Sequence, residues 1–428
     1  MGAGRFEGMN TQVAYLALMF AFSLQRPSVK TSAAFAGCAL AFYAVIVALQ
    51  YLGGNPLGLY PGTRSIYTNY EFQGTIGNID MGIGFLTLFS ALLLAYFAVS
   101  GGIVGALVCV PGLAGVLLML MMGVQAGYIA IIGGVCLLLM AMICRPELRS
   151  RGLVLLGLLL AVLTLRQLIG LPWVDGLEAP WNCELRTDAV LPKLTGTEQV
   201  VFPWNVTWKK LLPLCAALVL FILAVPVRKH PGRALRPWIA WAALIVGWGT
   251  FFLCVWLIDI PYEAGGIWEL HEILCGRPRD TFGSERWGVW THTLHIVKDN
   301  LLFGTGPDTF LSVMKAHLAA EGASLKQTFD APHNIFLAIL VQNGVPGLLL
   351  YIAMLVSALV SAAKRRSCWP LAAAVICYLV QGFFSFSIVI VSPMFWAVLG
   401  MLMAGGEAPL VRVPAASKAA EAQSDIAK

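Results

Sequence analysis

The chain alternates long apolar runs with short polar turns. The runs fall near residues 9–25, 32–53, 79–99, 101–122, 124–143, 151–171, 209–227, 236–259, 334–361, 369–390 and 391–406. Most approach the ~20 residues that carry a helix across a bilayer, and they lack the strict alternation of a half-buried strand. The pattern predicts an all-α fold: a polytopic transmembrane helical bundle of about 11–12 spans with a large helical extracytoplasmic loop. Residues 1–259 then hold the N-terminal membrane helices, with outer loops near 54–78 and 172–208. Residues 260–333 form the large loop, 334–406 the C-terminal membrane helices, and 407–428 a disordered cytoplasmic tail.

Inside the large loop, Trp287, Trp290, Leu294 and Val297 recur at helical spacing over residues 285–298, and a second short helical pattern covers 309–320. Each has one apolar face. Joined by the turn Gly304-Thr305-Gly306-Pro307, they make a compact cap over the membrane surface rather than a freely mobile loop.

Composition sharpens this picture. Of 428 residues, 59% are hydrophobic and 12% charged, and mean hydropathy is +0.79, more apolar side chain than one soluble core could hide. A cytosolic enzyme is excluded. The net charge of +6 is explained by topology and not by nucleic-acid binding. Arg26, Lys30, Arg145, Arg149, Arg151, Arg228, Lys229, Arg233, Arg236, Lys364, Arg365, Arg366, Arg412, Lys418 and Lys428, fifteen of 28 basic residues, sort to one side as a cytoplasmic set. The other side receives most of the acids, including Asp175, Glu178, Glu184, Asp188 and those between Asp259 and Asp330. An odd number of spans with a cytoplasmic tail puts Met1 outside. Most of the ten cysteines lie in apolar runs, with only Cys183 and Cys275 extracytoplasmic, so no disulfide framework is expected.

Two residues in the large loop have reactive addresses. His333 follows Pro332 where the loop re-enters the bilayer, beside backbone N–H groups that favour anions, and a neutral imidazole there could take a proton from a sugar hydroxyl. Arg286 opens the amphipathic helix with a guanidinium fork suited to phosphate oxygens. By residue type alone, the first reads equally as an interfacial capping histidine and the second as a solvated surface arginine. Arg64 and Arg166 lie near outer span ends, where snorkelling to headgroups also accounts for them.

Other motifs carry less. His271-Glu272-Ile273-Leu274-Cys275 ends in cysteine where a zinc-protease helix needs its second histidine. His292 and His295 are three apart with no further donor visible nearby in the sequence, so no metal and no cofactor is expected. Trp287 and Trp290 suit either a sugar ring or packing against lipid. A phosphate-cradling glycine loop with its lysine is absent from the sequence, which leaves nucleotide hydrolysis without support.

The order Ser284-Glu285-Arg286-Trp287, then Leu301 to Phe310 reading LLFGTGPDTF, then Pro332-His333-Asn334-Ile335-Phe336-Leu337 and Gln342-Asn343-Gly344-Val345-Pro346-Gly347, resembles the O-antigen ligase and polymerase superfamily. Upstream, Gly74-Thr75-Ile76-Gly77-Asn78-Ile79-Asp80 is similar to a segment that family carries before a membrane helix. The resemblance spans about residues 64–350 and implies a metal-independent membrane glycosyltransferase. Its donor would be an undecaprenyl-diphosphate-linked glycan. Its acceptor would be a glycan, a lipid A core sugar or a second lipid-linked repeat, with membrane lipids as surroundings and the site on the periplasmic face of the inner membrane.

In that reading His333 activates the acceptor and Arg286 binds the diphosphate. Asn78, Asn334, Gly304 and Gly306 fall to the substrate side. Gln125 stands where relatives often have an arginine, in Gly123-Val124-Gln125-Ala126-Gly127, so Arg64 or Arg166 becomes the replacement for a second cation. The alternative class is a transporter or flippase of lipid-linked oligosaccharide, which would move substrate without forming a bond.

Overall fold

The computed structural model describes residues 6–51, 57–59, 74–169, 208–230, 232–325, 329–387 and 389–405. Arg64, Cys183, the outer segment 172–207 and the tail 407–428 lie outside the described residues. Among those described, the elements are helical and no strand occurs. In chain order they are α1 Met9–Gln25, α2 Val29–Tyr51, α3 Ile79–Ser100, α4 Gly102–Met122, α5 Gln125–Ile143, α6 Pro146–Leu168, α7 Trp208–Lys229 and α8 Pro237–Leu257. The segment between α8 and α12 contributes α9 Gly266–Leu274, α10 Arg286–Asp299 and α11 Phe310–Glu321, and the chain returns through α12 Ile335–Ala363, α13 Trp369–Gly382 and α14 Ser392–Met403. The protein is a polytopic helical membrane protein.

Eight of these helices, α2 to α8 and α12, are long and apolar enough to cross a membrane. The sequence expectation of about 11–12 spans therefore meets a difference at α1, α13 and α14, which have 17, 14 and 12 residues. Fourteen residues rise about 21 Å against a hydrocarbon core of about 30 Å. Hydropathy alone missed this because the connection after α13, with Phe383, Phe384 and Phe386, is as apolar as the helices it joins. Irregular backbone at that depth is tolerated only against protein or a cavity. Here it meets the underside of the cap.

The basic turns converge on one end of the bundle. Arg151 and Arg366 both donate to the carbonyl of Val99, one residue from the end of α3, at 2.8 and 3.3 Å. Arg366 also meets Glu147 at 3.2 Å, Arg149 donates to the Arg233 carbonyl at 2.7 Å, and the Arg145 guanidinium stacks over Trp369. Carbonyls left over at helix C-termini attract such cations. The opposite end carries the cap.

The bundle is built around α3, of which 89% of the apolar window is buried, whereas α7 and α8 bury 11% each. Small residues let neighbours approach it. Gly112 of α4 lies against Leu93 and Leu94, Gly127 of α5 against Ile83, and Gly84 of α3 against Tyr378 and Gln381 of α13. Close backbone approach of this kind replaces the hydrophobic driving force that helices lack in lipid.

Candidate active site at the cap end

Two asparagines open the helices that reach the cap. Asn78 and Asn334 are the N-caps of α3 and α12, each accepting two backbone N–H bonds through its side-chain oxygen: Asp80 and Met81 for the first, Phe336 and Leu337 for the second. Sequence reasoning left N–H groups available to an anion beside His333. At Phe336 and Leu337 the Asn334 cap takes them, at 2.9 and 3.1 Å. The cap bonds engage the side-chain oxygen of each asparagine and not its carboxamide NH2.

His333 sits in the left-handed region at φ 51°, between the rings of Phe329 and Phe386 at centroid distances of 5.4 and 4.8 Å. A non-glycine residue there is unfavourable, and such strain clusters at functional positions. Its Nδ1 lies 3.1 Å from the Ala331 carbonyl. A proton on Nδ1 donated to that carbonyl puts the basic lone pair on Nε2.

Arg286 starts α10 after three consecutive positive φ values, Gly283 61°, Ser284 57° and Glu285 67°. This turn folds back so that Trp287 and Gly288 donate to the carbonyls of Phe282 and Asp280, which satisfies the helix start internally. The carboxylate of Glu269 on α9 accepts the Gly283 N–H at 2.9 Å and fastens the turn to the rest of the cap. Arg286 Nη1 donates to the Gly283 carbonyl at 2.9 Å, whereas its Nε is buried with no hydrogen-bond partner among the described residues. Glu285 Oε2 is buried in the same condition. Orphaned buried polar atoms are rare and call for a ligand, water or functional reason.

Trp290, one turn beyond Arg286, links the two candidates. Its indole N–H donates to the carbonyl of Pro332, the residue before His333, at 2.8 Å, and its ring packs on Phe383 and Phe384. The buried face of α10 is formed by Gly288, Val289, Thr293, Ile296 and Val297, so of the stripe expected from spacing Val297 is buried, Trp287 and Trp290 are half-buried and Leu294 is exposed. The helix is covered from α11, α12 and the preceding turn at once, which displaces its core face and leaves Trp290 toward the irregular connection after α13.

Gly304 and Gly306 meet a break in α12. At Gly344 the helix adopts φ 69° and ψ −176°, and Pro346 follows two residues later. The freed carbonyls of Val341 and Gln342 accept from Thr305 and Gly306 at 2.8 and 3.0 Å, and Val345 donates to Leu301 at 2.8 Å. A Cβ on Gly304 would stand 2.4 Å from the backbone of Gln342. These two glycines thus dock the loop onto a broken helix.

Gln125 opens α5 against Gly266 of α9. Arg166, in the last turn of α6, donates through Nε to the Leu120 carbonyl at 3.0 Å, and the Tyr128 hydroxyl donates to the same oxygen at 3.0 Å. Of the two arginines expected as replacements, Arg166 therefore reaches the turn that holds Gln125.

Sequence reasoning missed several supports. Gln50, fully buried, clasps Gly74 by accepting its N–H at 2.8 Å and donating to its carbonyl at 3.3 Å. A polar residue inside a long apolar run was the available signal. His271 and Glu272 are structural: His271 Nδ1 lies 2.7 Å from the Val255 carbonyl, and Glu272 forms a two-oxygen clasp with Arg277. That guanidinium holds the Glu272 carboxyl below the usual carboxylate range.

A bundle of apolar helices roofed at the end away from its basic turns by a short helical cap, with a histidine and an arginine brought under that roof, defines a polytopic membrane protein with a candidate polar site at one end of its bundle. Residues 209–352 match the family model described as O-antigen ligase, and the match supports membership of the O-antigen ligase/polymerase superfamily. It covers α7 to the middle of α12, the whole cap included. No curated protein matches the sequence significantly.

Proposed function

We propose that the protein is a metal-independent glycosyltransferase that transfers or polymerises undecaprenyl-diphosphate-linked oligosaccharide at the periplasmic face of the inner membrane. One observation carries the reading: the Arg286 Nε is buried without a partner on the helix that Trp290 ties to the backbone next to His333. An anion between the two residues satisfies that donor.

The chemistry needs little more. The acceptor hydroxyl gives its proton to His333 Nε2 as its oxygen bonds to the donor's anomeric carbon. The bond from that carbon to the diphosphate oxygen breaks, and the charge gathering on the departing lipid diphosphate falls to Arg286, with Arg166 and Arg64 as further cations. A positioned base contributes about 10²–10⁴-fold and fixed donors at developing charge contribute comparably. The acceptor is a glycan, a lipid A core sugar or a second lipid-linked repeat. Asn78, Gln125 and Asn334 face it at the helix ends.

The test is transfer in membrane vesicles from a lipid-diphosphate oligosaccharide to a soluble or lipid acceptor. His333→Ala removes product while the protein remains folded, and Arg286→Lys loses most of it because lysine lacks the planar fork. Undiminished product in His333→Ala, or labelled substrate crossing the vesicle without a new glycosidic bond, overturns the reading.

A further inference from the structure

The histidines that looked solitary in the sequence meet two further donors in the fold. His292 and His295 are one turn apart on α10, and His317 and Glu321 one turn apart on α11, so each helix offers two donors on one flank. One ligand atom from each residue falls within a group whose members lie within 4.8 Å of one another. His292 Nδ1 is 3.3 Å from His317 Nε2 and 3.2 Å from Glu321 Oε2, His317 Nε2 is 3.3 Å from Glu321 Oε2, and His295 Nδ1 is 3.6 Å from Glu321 Oε1.

Those separations have a geometric meaning. A tetrahedral ion bound at about 2.0–2.1 Å to nitrogen and oxygen has ligands about 3.3–3.4 Å apart along each edge. Imidazole nitrogens with one carboxylate oxygen suit Zn²⁺ and its first-row neighbours, whereas Ca²⁺ and Mg²⁺ want oxygen. Three imidazoles converging on one carboxylate otherwise gain little, because only protonated rings attract it.

We propose that His292, His295, His317 and Glu321 form a site for a borderline transition-metal ion of the Zn²⁺ class, which staples α10 to α11. Four protein ligands leave no open position, so the site is structural. It is also separate from the proposed transfer site. On a helix of about 100° per residue, His292 and His295 lie about 120° and 180° around α10 from Arg286, facing α11. Exposure differs across the site: the His292 and His317 side chains are 17% and 15% accessible and those of His295 and Glu321 45% and 39%, which gives an ion an inner wall and a way in. The core joining the two helices is small, built from Val289, Ile296, Val297, Phe310 and Met314 with Phe329 and Val341 beneath. A small core of this kind is where a metal contributes most to holding geometry.

The experiment uses the full chain in nanodiscs, purified on a tag without histidines, stripped with chelator and titrated with Zn²⁺ alone. We expect one equivalent bound, thermal stability that rises with free Zn²⁺, and tetrahedral visible bands when Co²⁺ is the probe. Losing even an outer-shell partner weakens metal binding roughly 10–100-fold, so His317→Ala and the milder His295→Gln weaken Zn²⁺ by at least that order. His230→Ala, an exposed histidine near the basic end, leaves it unchanged. Wild-type protein that takes up no stoichiometric Zn²⁺ overturns the proposal, as does uptake that both cluster variants retain. Stability that follows pH but not Zn²⁺ would mean the four groups share protons instead, and overturns it equally.

Discussion

The membrane bundle and the cap are held together by different means. The bundle core is continuous and apolar, with Leu86, Leu88, Leu92, Leu93 and Leu155 fully buried among many similar neighbours. The cap has a core of a few side chains and relies on single polar fastenings: Glu269 to Gly283, Trp290 to Pro332, and the loop 304–306 on the broken part of α12. Loss of one contact in the first is shared by its surroundings. Loss of one in the second shifts the backbone that carries Arg286 or His333, and in the proposed transfer a displacement of about 1 Å can cost on the order of 10²-fold in rate.

The sharpest break is chemical. His333→Ala is expected to lower transfer by about 10²–10⁴-fold with melting behaviour little altered, since the ring packs edge-on against Phe329 and Phe386 and meets the Ala331 carbonyl at the margin of the bundle. In wild type, acidification lowers the rate as the imidazole takes up a proton and can no longer accept one from the hydroxyl. A pH-rate profile on vesicles checks this, and a flat profile from about pH 5 to 8 removes general-base work.

Gly304→Ala comes next. Its Cβ would overlap the Gln342 carbonyl carbon and the Asn343 nitrogen, at 2.4 and 2.6 Å, which are backbone and cannot rotate aside. We expect loss of transfer and protease sensitivity within the cap. Gly306→Ala, whose Cβ would meet only Thr309 at 3.7 Å, suffers the strain of φ 94° alone and is milder. Leu92→Ala supplies the bundle counterpart: about 2 kcal/mol of stability lost to a cavity, read by thermal melting, with the rate per folded molecule kept.

These contrasts also explain what could be read from sequence. Apolar runs gave most helices to within a few residues, because burial in lipid or protein makes the same demand at every position. The run over 369–390 continues past the end of α13, where Phe383 and Phe384 pack on Trp290 and Phe386 on His333. At the site, the residue types were legible and their partners were not. Nothing local in the sequence says that His292 faces His317, that Gln50 clasps Gly74, or that Asn334 spends its oxygen on a cap. Each depends on a contact between elements distant in the chain.

Asn334→Ala removes one N-cap, at about 1 kcal/mol. Asn78→Ala does the same at α3, where the surrounding core is deep, so equal losses in stability are expected to come with a larger loss of transfer for Asn334, the neighbour of His333. Equal rates would mean that the cap end does not set the position of the imidazole.

The smallest effect is expected at the outer rim of the cap. Glu272 is held below the ordinary carboxylate range by its hydrogen bonds to Arg277, so its folded value lies beneath its unfolded one. A depressed carboxylate contributes stability that is fully present above the unfolded value, about pH 4.3, and is lost as pH falls through the folded one. The Arg277 side chain is 60% exposed, so water screens the pair and the change stays local. Amide exchange over α9 should therefore quicken below about pH 4 in wild type, and Glu272→Gln should abolish that acid-dependent step while leaving exchange in α3 untouched. An acid response of the same size in the variant would assign it to another carboxylate of the cap.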